Sequence, residues 1–163
     1  MTIKYNNVFI EDAYTICGNY ENDGPLSKYF DKKYEKDLYF GEKSWEQAEV
    51  HLLKEANTNI LKKNKLKEED IDLLISGDLQ NQIAASNYMA REFNIPFLGI
   101  FEACSTSGEG LAIGSTYIEG GFAKKILVST SSHNMAAEKQ FRNPTEYGTP
   151  KPKTATFTST GGV

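Results

Sequence analysis

Short apolar segments that alternate with amphipathic ones constrain the fold of this chain more than any other feature of its sequence. Runs of apolar and β-branched residues predict strands at residues 8–18, 71–77, 96–101 and 125–130. Apolar residues at helical spacing predict helices between them, at residues 45–64, 81–93 and 104–119. The order βαβαβαβ is typical of a layered α/β fold with a mainly parallel sheet.

The segment that follows Ser44 gives the clearest local prediction. Ser44 and Gln47 form a capping box, in which the Ser44 hydroxyl accepts a hydrogen bond from the Gln47 amide. Apolar residues then recur at helical spacing, namely Trp45, Ala48, Leu52, Ala56 and Ile60. Residues 19–43 predict a long loop with a short helical turn. A loop of that length in a compact domain usually covers a site or takes part in function.

Composition and charge exclude several classes of protein. The 163 residues fit one domain, and 39% hydrophobic with 25% charged residues is ordinary for a globular chain. The net charge is −4, and acids directly follow the one basic cluster, at residues 62–67, so no nucleic-acid partner is expected. No apolar run approaches the length of a membrane span and no signal peptide is visible, so we expect a cytoplasmic location.

The cysteines and histidines give no sign of a metal centre. Cys17 and Cys104 are far apart, and without a secretory signal a disulfide between them is not expected. With only His51 and His133 beside them, they match no zinc-binding spacing. His51 lies mid-helix between charged neighbours and is interpreted as a surface residue.

The strand-to-helix junction at Cys104 is the strongest candidate for a functional site. The helix opens on Ser105, Thr106 and Ser107, and its free backbone N–H groups and positive dipole end suit an anion. That anion is either a bound carboxylate or a cysteine thiolate. Cys104 as a small buried core residue is an equally open interpretation.

Other polar residues follow predicted strands in the same way. Asp78 comes after the strand at 71–77, and His133 and Asn134 come after the strand at 125–130. Because parallel strands present their carboxyl ends on one side of a sheet, these residues are expected to converge with Cys104. Two alternatives stay open: Asp78 as only the cap of the next helix, and His133 as a hydrogen-bonded structural histidine.

Several sequence blocks resemble a known family. An apolar strand, Ala103-Cys104 among small residues, a central helix and a further strand look like the N-terminal half of a thiolase-fold protein. More closely, the chain is similar to the stage V sporulation protein AD family. The blocks that carry this similarity lie at residues 77–82, 95–99, 103–107, 120–123, 130–134, 137–142 and 144–148.

The resemblance implies a particular domain organisation. Residues 1–163 would form one half of a two-half thiolase-like fold, with a mostly parallel or mixed central sheet and a buried central helix. Residues 154–160 have strong β propensity, so the chain is expected to end in or just after a strand, with the second half absent.

The same resemblance implies a sporulation protein that binds dipicolinic acid, with or without calcium, as part of the channel that loads it into the forming spore. The implied partners are the channel's membrane subunits at the spore inner membrane and a second copy in a homodimer. No cofactor other than calcium is implied. Cys104 stands where thiolase-fold enzymes have their nucleophile, but their catalytic partners come from the second half.

The implied ligand site combines the candidate residues. Cys104, Ser105 and Thr106 at the helix N-terminus would hold one carboxylate, His133 or Asn134 would donate to the other, and Asp78 would assist through calcium. The alternative is an acyltransferase of the thiolase or ketoacyl-synthase type that carries an acyl thioester on Cys104. A third interpretation is a scaffold that docks a membrane-channel partner.

Overall fold

The structure, a computed structural model, describes residues 2–141 and 159–163. Its strands are β1 Ile16–Cys17, β2 Lys32–Lys33, β3 Leu73–Gly77, β4 Phe97–Gly99, β5 Ile126–Ser132 and β6 Gly161–Gly162. Its α-helices are α1 Asn19–Asn22, α2 Trp45–Lys63, α3 Ala84–Ala90, α4 Thr106–Glu119 and α5 Asn134–Phe141. Short 3₁₀ turns occupy Ser27–Tyr29, Glu68–Asp70, Asn81–Ile83 and Ala103–Ser105.

The strands form one mixed sheet in the order β2-β1-β6-β5-β3-β4. β3 lies next to the edge strand β4 and pairs in parallel with both β4 and β5. β6 pairs antiparallel with β5 on one side and with β1 on the other. The carboxyl ends of β3, β4 and β5 therefore meet at one edge, as the α/β prediction requires.

The predicted helix at residues 45–64 is confirmed as α2. The Ser44 hydroxyl accepts from the Gln47 amide at 3.2 Å, so the helix begins where the capping signal placed it. The apolar face of α2, which includes Leu52, Leu53 and Ala56, is buried. It packs against β5, β6 and α3, and so covers one face of the sheet.

α4 covers the other face of β3 and β5 through its glycines. Gly110 and Gly114 are buried, and a Cβ atom at Gly110 would lie 2.7 Å from Cγ1 of Val128. Small residues thus let this helix approach the sheet closely. The helix is buried along this face only, since Leu111 on the opposite side is 43% exposed.

The strand predicted at residues 8–18 is mostly wrong, because only Ile16–Cys17 pair within the sheet. Phe9 and Ile10 are 82% and 77% exposed. The arm before β1 is held by polar contacts instead, such as the Asn6 backbone N–H that donates to the Glu119 carboxylate at 3.2 Å. β propensity favours an extended chain, but a strand also needs a neighbour to pair with.

The helix predicted at residues 81–93 is shorter than expected. Gln82 and Ile83 have positive φ angles of 58° and 50°, so α3 can begin only at the next residue. Its buried face includes Met89, whereas Tyr88 is 59% exposed. Of the strand predicted at residues 154–160, residues 154–158 lie outside the described part of the chain.

No helix within residues 2–141 and 159–163 combines the length and the apolarity that crossing a membrane requires.

We predict that two alanine substitutions in α4 have opposite effects. In Gly110→Ala the new methyl group must displace Val128, which costs about 1–3 kcal/mol and outweighs the gain of about 1 kcal/mol in helix propensity. Gly108→Ala is the matched control, because nothing lies within 4 Å of its added Cβ and only the gain remains. Urea unfolding measures both, and equal stabilities would contradict the close approach of α4.

Candidate functional site

A cavity of about 440 Å³ lies at the carboxyl edge of β3 and β5, beside Cys104. Most of the polar residues in its lining carry hydroxyl groups: Thr15, Thr106, Ser107, Thr130, Ser131, Ser132 and Ser159. Its apolar wall includes Ile16, Phe30, Leu79 and Val163. Asp78 and Cys104 are its ionisable lining residues within the described part of the chain.

The turn that carries Cys104 is fixed by the first residue of α4. The Thr106 hydroxyl accepts from the Glu102 amide at 3.0 Å and donates to the Ala103 carbonyl at 2.9 Å. Ala103 has a φ of 46°, an uncommon conformation for a residue with a side chain. Cys104 follows directly and is exposed, so it is not the buried core residue that the sequence left open.

The N-terminus of α4 has no side-chain cap. Ser105, at the N-cap position, makes no capping hydrogen bond, since its hydroxyl donates to the Glu102 carbonyl at 2.9 Å. The first N–H groups of a helix have no partner within the helix, so they are available to an acceptor. The Thr106 amide already donates to the Ala103 carbonyl in the preceding turn, so an anion in the cavity would rely on the N–H groups that follow it, from Ser107 onward; both residues line the cavity.

Asp78 lines the cavity but also holds the chain that leads into α3. The residue is 1% exposed. One carboxylate oxygen accepts from the Gln80 amide at 2.8 Å and the other from the Ser86 amide at 2.7 Å. Burial raises the pKa of this carboxyl group despite these hydrogen bonds. The capping role considered from the sequence is therefore present.

The sequence interpretation missed a second buried carboxyl group, that of Glu49 on α2. It is fully buried; Oε2 accepts from the Gln80 side-chain amide at 2.9 Å and Oε1 from the Ser131 hydroxyl at 3.0 Å. Burial, and then the charge of Asp78, raise the pKa of Glu49 to about 8.

A signal for Glu49 was present in the sequence. It follows Ala48 and precedes Leu52 by three positions, so it falls on the apolar face of α2 rather than on the solvent face. A carboxyl group that is buried on an apolar helix face needs hydrogen-bond partners, so Glu49 at this position predicts a buried polar contact.

A cluster of buried serines extends this polar layer beyond the residues that line the cavity. The Ser129 hydroxyl donates to the Ser76 hydroxyl at 3.0 Å, and Ser76 donates to Ser86 at 3.3 Å. These bonds connect β5, β3 and α3, and the Ser86 amide also donates to Asp78. Buried hydrogen bonds thus favour a single arrangement of the elements that carry Asp78.

The structure places His133 outside the cavity. The ring is fully buried, Nε2 donates to the Leu38 carbonyl at 2.7 Å, and Nδ1 accepts from the Ala136 amide at 3.4 Å. This pair of contacts fits the neutral imidazole, and burial lowers its pKa. The ring also stacks edge-on against Phe40 at 5.7 Å. The structural role that the sequence left open is what the geometry shows.

Asn134 likewise serves the fold. Its backbone N–H donates to the Thr160 hydroxyl at 2.9 Å, and its side-chain oxygen accepts from the same hydroxyl at 2.7 Å. This contact ties the start of α5 to the residue before β6. Of the predicted site residues, the structure brings Asp78, Cys104 and Thr106 to one cavity, with Ser105 adjacent to it.

No lysine, arginine or histidine among residues 2–141 and 159–163 lines this cavity. An anion there would depend on hydroxyl groups and backbone N–H groups. The same ranges contain no group of three or more histidine, cysteine, aspartate or glutamate side chains placed to hold a metal ion. Both oxygens of Asp78 accept a hydrogen bond from a backbone N–H group, so its carboxylate has a structural role at the start of α3.

A second cavity, of about 300 Å³, lies between the N-terminal arm, α2, α4 and β5. Its wall is mostly apolar and includes Phe9, Ile60 and Leu111. None of the predicted site residues lines it. The cavity beside Cys104 is therefore the candidate site.

Comparison with known proteins gives one family. Residues 1–163 match the family described as Stage V sporulation protein AD. The chain is 53% identical over 154 residues to "Stage V sporulation protein AD" of Bacillus subtilis (strain 168). That alignment covers 94% of this chain but 45% of the relative, so the chain spans less than half of the relative's length.

Solved structures of similar fold include two enzymes. A 3-oxoacyl-[acyl-carrier-protein] synthase III from Aquifex aeolicus superposes with a TM-score of 0.53 at 20% identity, over 69% of this chain and 36% of that one. A fungal type III polyketide synthase gives a TM-score of 0.53 at 17% identity, over 86% and 39%. At these identities the likeness shows the fold alone, which confirms the thiolase-like prediction.

We predict that Glu49→Gln changes how stability depends on pH. In the folded chain Glu49 keeps its proton up to about pH 8, whereas in the unfolded chain it loses it near 4.5. The folded chain binds more protons in that window, so the wild type loses stability as pH rises through it. The neutral variant lacks this loss and should gain a few kcal/mol on the wild type between pH 5 and pH 9, as a rough magnitude.

Urea unfolding at both pH values measures this difference. Glu92→Gln is the control, because the hydrogen bond from Lys54 lowers the pKa of this exposed carboxyl group and keeps it ionised throughout the window. Parallel curves for wild type and Glu49→Gln would show that Glu49 is not held neutral.

Proposed function

This chain belongs to the stage V sporulation protein AD family, and we propose that it serves sporulation by binding dipicolinic acid in the cavity beside Cys104. The observation that carries the proposal is the uncapped N-terminus of α4, whose first residues line a cavity of about 440 Å³. Such a terminus stabilises a carboxylate through its N–H groups and its dipole.

The chemistry of the cavity matches a flat aromatic dianion. Hydroxyl groups, which can donate to carboxylate oxygens, dominate its polar lining; Thr130 brings one from the end of β5 and Ser107 one from α4, whereas the Ser132 hydroxyl already donates to the Ser159 carbonyl at 2.7 Å. Phe30 and Ile16 supply apolar surface for the ring. In the arrangement we propose, one carboxylate of the ligand binds at the N-terminus of α4 and the ligand's ring packs against this apolar wall.

Calcium enters this proposal through the ligand. The Asp78 carboxylate is occupied by the Gln80 and Ser86 amides, so a calcium ion would be carried by the dipicolinate carboxylates rather than by Asp78. His133 and Asn134 are assigned no contact with the ligand, because both are engaged elsewhere in the fold.

Catalysis by Cys104 is not the function that this geometry favours. A thioester mechanism needs a base and an oxyanion site within reach of the thiol. In the described part of the chain the cavity holds no histidine or lysine, and the one carboxylate that lines it is held by two amides. The enzymes of similar fold share 20% or less of their sequence with this chain, so their activities are not evidence for an activity of this chain.

The partners in this proposal are the membrane subunits of the channel that moves dipicolinic acid into the spore. The chain would act at the spore inner membrane through them, alone or as a homodimer. Because the chain spans less than half of its relative, these partners and the ligand are proposed for the whole protein.

We predict that isothermal titration calorimetry detects dipicolinate binding to this chain, with and without calcium. Cys104→Leu fills the cavity next to the α4 terminus and should weaken binding at least about tenfold, or about 1.4 kcal/mol. Ser105→Leu is the matched control, because this neighbour lies in the same turn but does not line the cavity.

Isophthalate, which has the same two carboxylates but no ring nitrogen, separates recognition of the anion from chelation of calcium by the ligand. Absence of heat with dipicolinate under every condition would refute the proposal. Equal weakening by the two leucine variants would place the ligand elsewhere.

A further inference from the structure

One buried carboxyl group, that of Asp78, lines the candidate cavity, and a second, that of Glu49, lies behind it and binds the lining residue Ser131. We infer that the cavity takes up a proton together with its anionic ligand, and that Glu49 is the positioning residue that holds this proton. The inference rests on the proposed function, because it concerns the anion bound at that site.

The first argument is the charge of the cavity. Asp78 lines it and Glu49 lies directly behind, joined to the lining by the Ser131 hydroxyl at 3.0 Å. No ion pair involves either carboxyl group in the described part of the chain. Two ionised carboxylates there would repel a dianion, and buried charges are poorly screened. A proton on the pair removes half of that repulsion.

The second argument is that the hydrogen bonds of Glu49 fit a neutral acid. The Gln80 side-chain nitrogen can only donate, so it satisfies the carbonyl oxygen Oε2 in either protonation state. The Ser131 hydroxyl can donate to a charged Oε1 or accept from a protonated one. The proton thus binds and leaves without any change of partner, which suits a group that titrates in the folded chain.

The third argument comes from the charges on the elements around Glu49. On α2 itself, Glu46 is paired with Lys139 of α5 at 2.9 Å, so this cation is neutralised. α5 also contributes the buried Glu138 and the neutral His133. From β3 comes Asp78, and from β5 the uncharged Ser131. The surroundings are acidic or neutral, and they favour the protonated form of Glu49.

The direction of the effect follows from these charges. Burial raises the pKa of Glu49 to about 8. Glu49 therefore mostly carries a proton below that pH and is mostly ionised above it. Dipicolinate has carboxyl groups that are ionised across the whole range from about pH 6 upward, so its own charge is constant. Affinity should therefore fall as pH rises through 8, roughly tenfold between pH 7 and pH 9.5.

Calorimetry between pH 6 and pH 9.5 tests this inference. Repeating each titration in two buffers that differ in ionisation enthalpy counts the protons taken up, and a tenfold change in affinity corresponds to an uptake that peaks at about half a proton per ligand between about pH 8 and pH 9. Glu49→Gln should bind with a pH-independent affinity and take up no proton. Glu92→Gln should keep the wild-type slope, because this exposed carboxylate pairs with Lys54, has a lowered pKa and is no part of the polar layer around Glu49.

A second measurement needs no variant, and so tests the inference even if Glu49→Gln does not fold. The carboxyl carbon of Glu49, followed by NMR in the wild-type chain, should titrate at higher pH with dipicolinate bound than without it, because the coupling of ligand and proton is reciprocal. Binding with no dependence on pH, or a Glu49 titration unmoved by the ligand, overturns this inference and leaves the proposed function standing. Absence of binding at every pH overturns both.

Discussion

The contact at Gly77, the last residue of β3, is the constraint on which the site depends. A Cβ atom there would lie 2.3 Å from the Ile100 carbonyl oxygen and 2.5 Å from the Thr106 methyl group. Because the residue has no side chain, the loop after β4 and the first turn of α4 can press against the end of β3. That approach brings Asp78, the next residue, and the turn that carries Cys104 to one cavity.

Burial then decides the chemistry around that cavity. Polar groups taken out of water need partners, and here they find them in one another. The layer consists of two carboxyl groups, a side-chain amide and four serines, namely Glu49, Asp78, Gln80, Ser76, Ser86, Ser129 and Ser131. It joins α2, α3, β3 and β5 next to the cavity. It also places acidic groups where a proposed anionic ligand binds, so protons and ligand become coupled, and the family's role in sporulation would then respond to pH at this point.

Local signals in the sequence predicted much of this framework. The capping serine and the apolar period of α2 act within a few residues, whereas among the glycines of α4 only Gly110 and Gly114 pack against the sheet and Gly108 does not. The strand at residues 8–18 and the helix at 81–93 failed for the opposite reason. Whether residues 8–18 pair in a sheet depends on which strands lie beside them. The start of the helix predicted at 81–93 depends on Asp78, whose carboxylate accepts from the Ser86 amide and stabilises the turn before α3.

By itself the sequence determined the α/β order, the start of α2, the family and the position of Cys104 at a strand-to-helix junction. Only the tertiary structure decided what the neighbouring side chains do. It turned His133 toward the Leu38 carbonyl and buried Glu49 behind Asp78. The reason is physical: strand order fixes which residues end at the same edge, but the direction of a side chain is set by the packing and hydrogen bonds of distant segments.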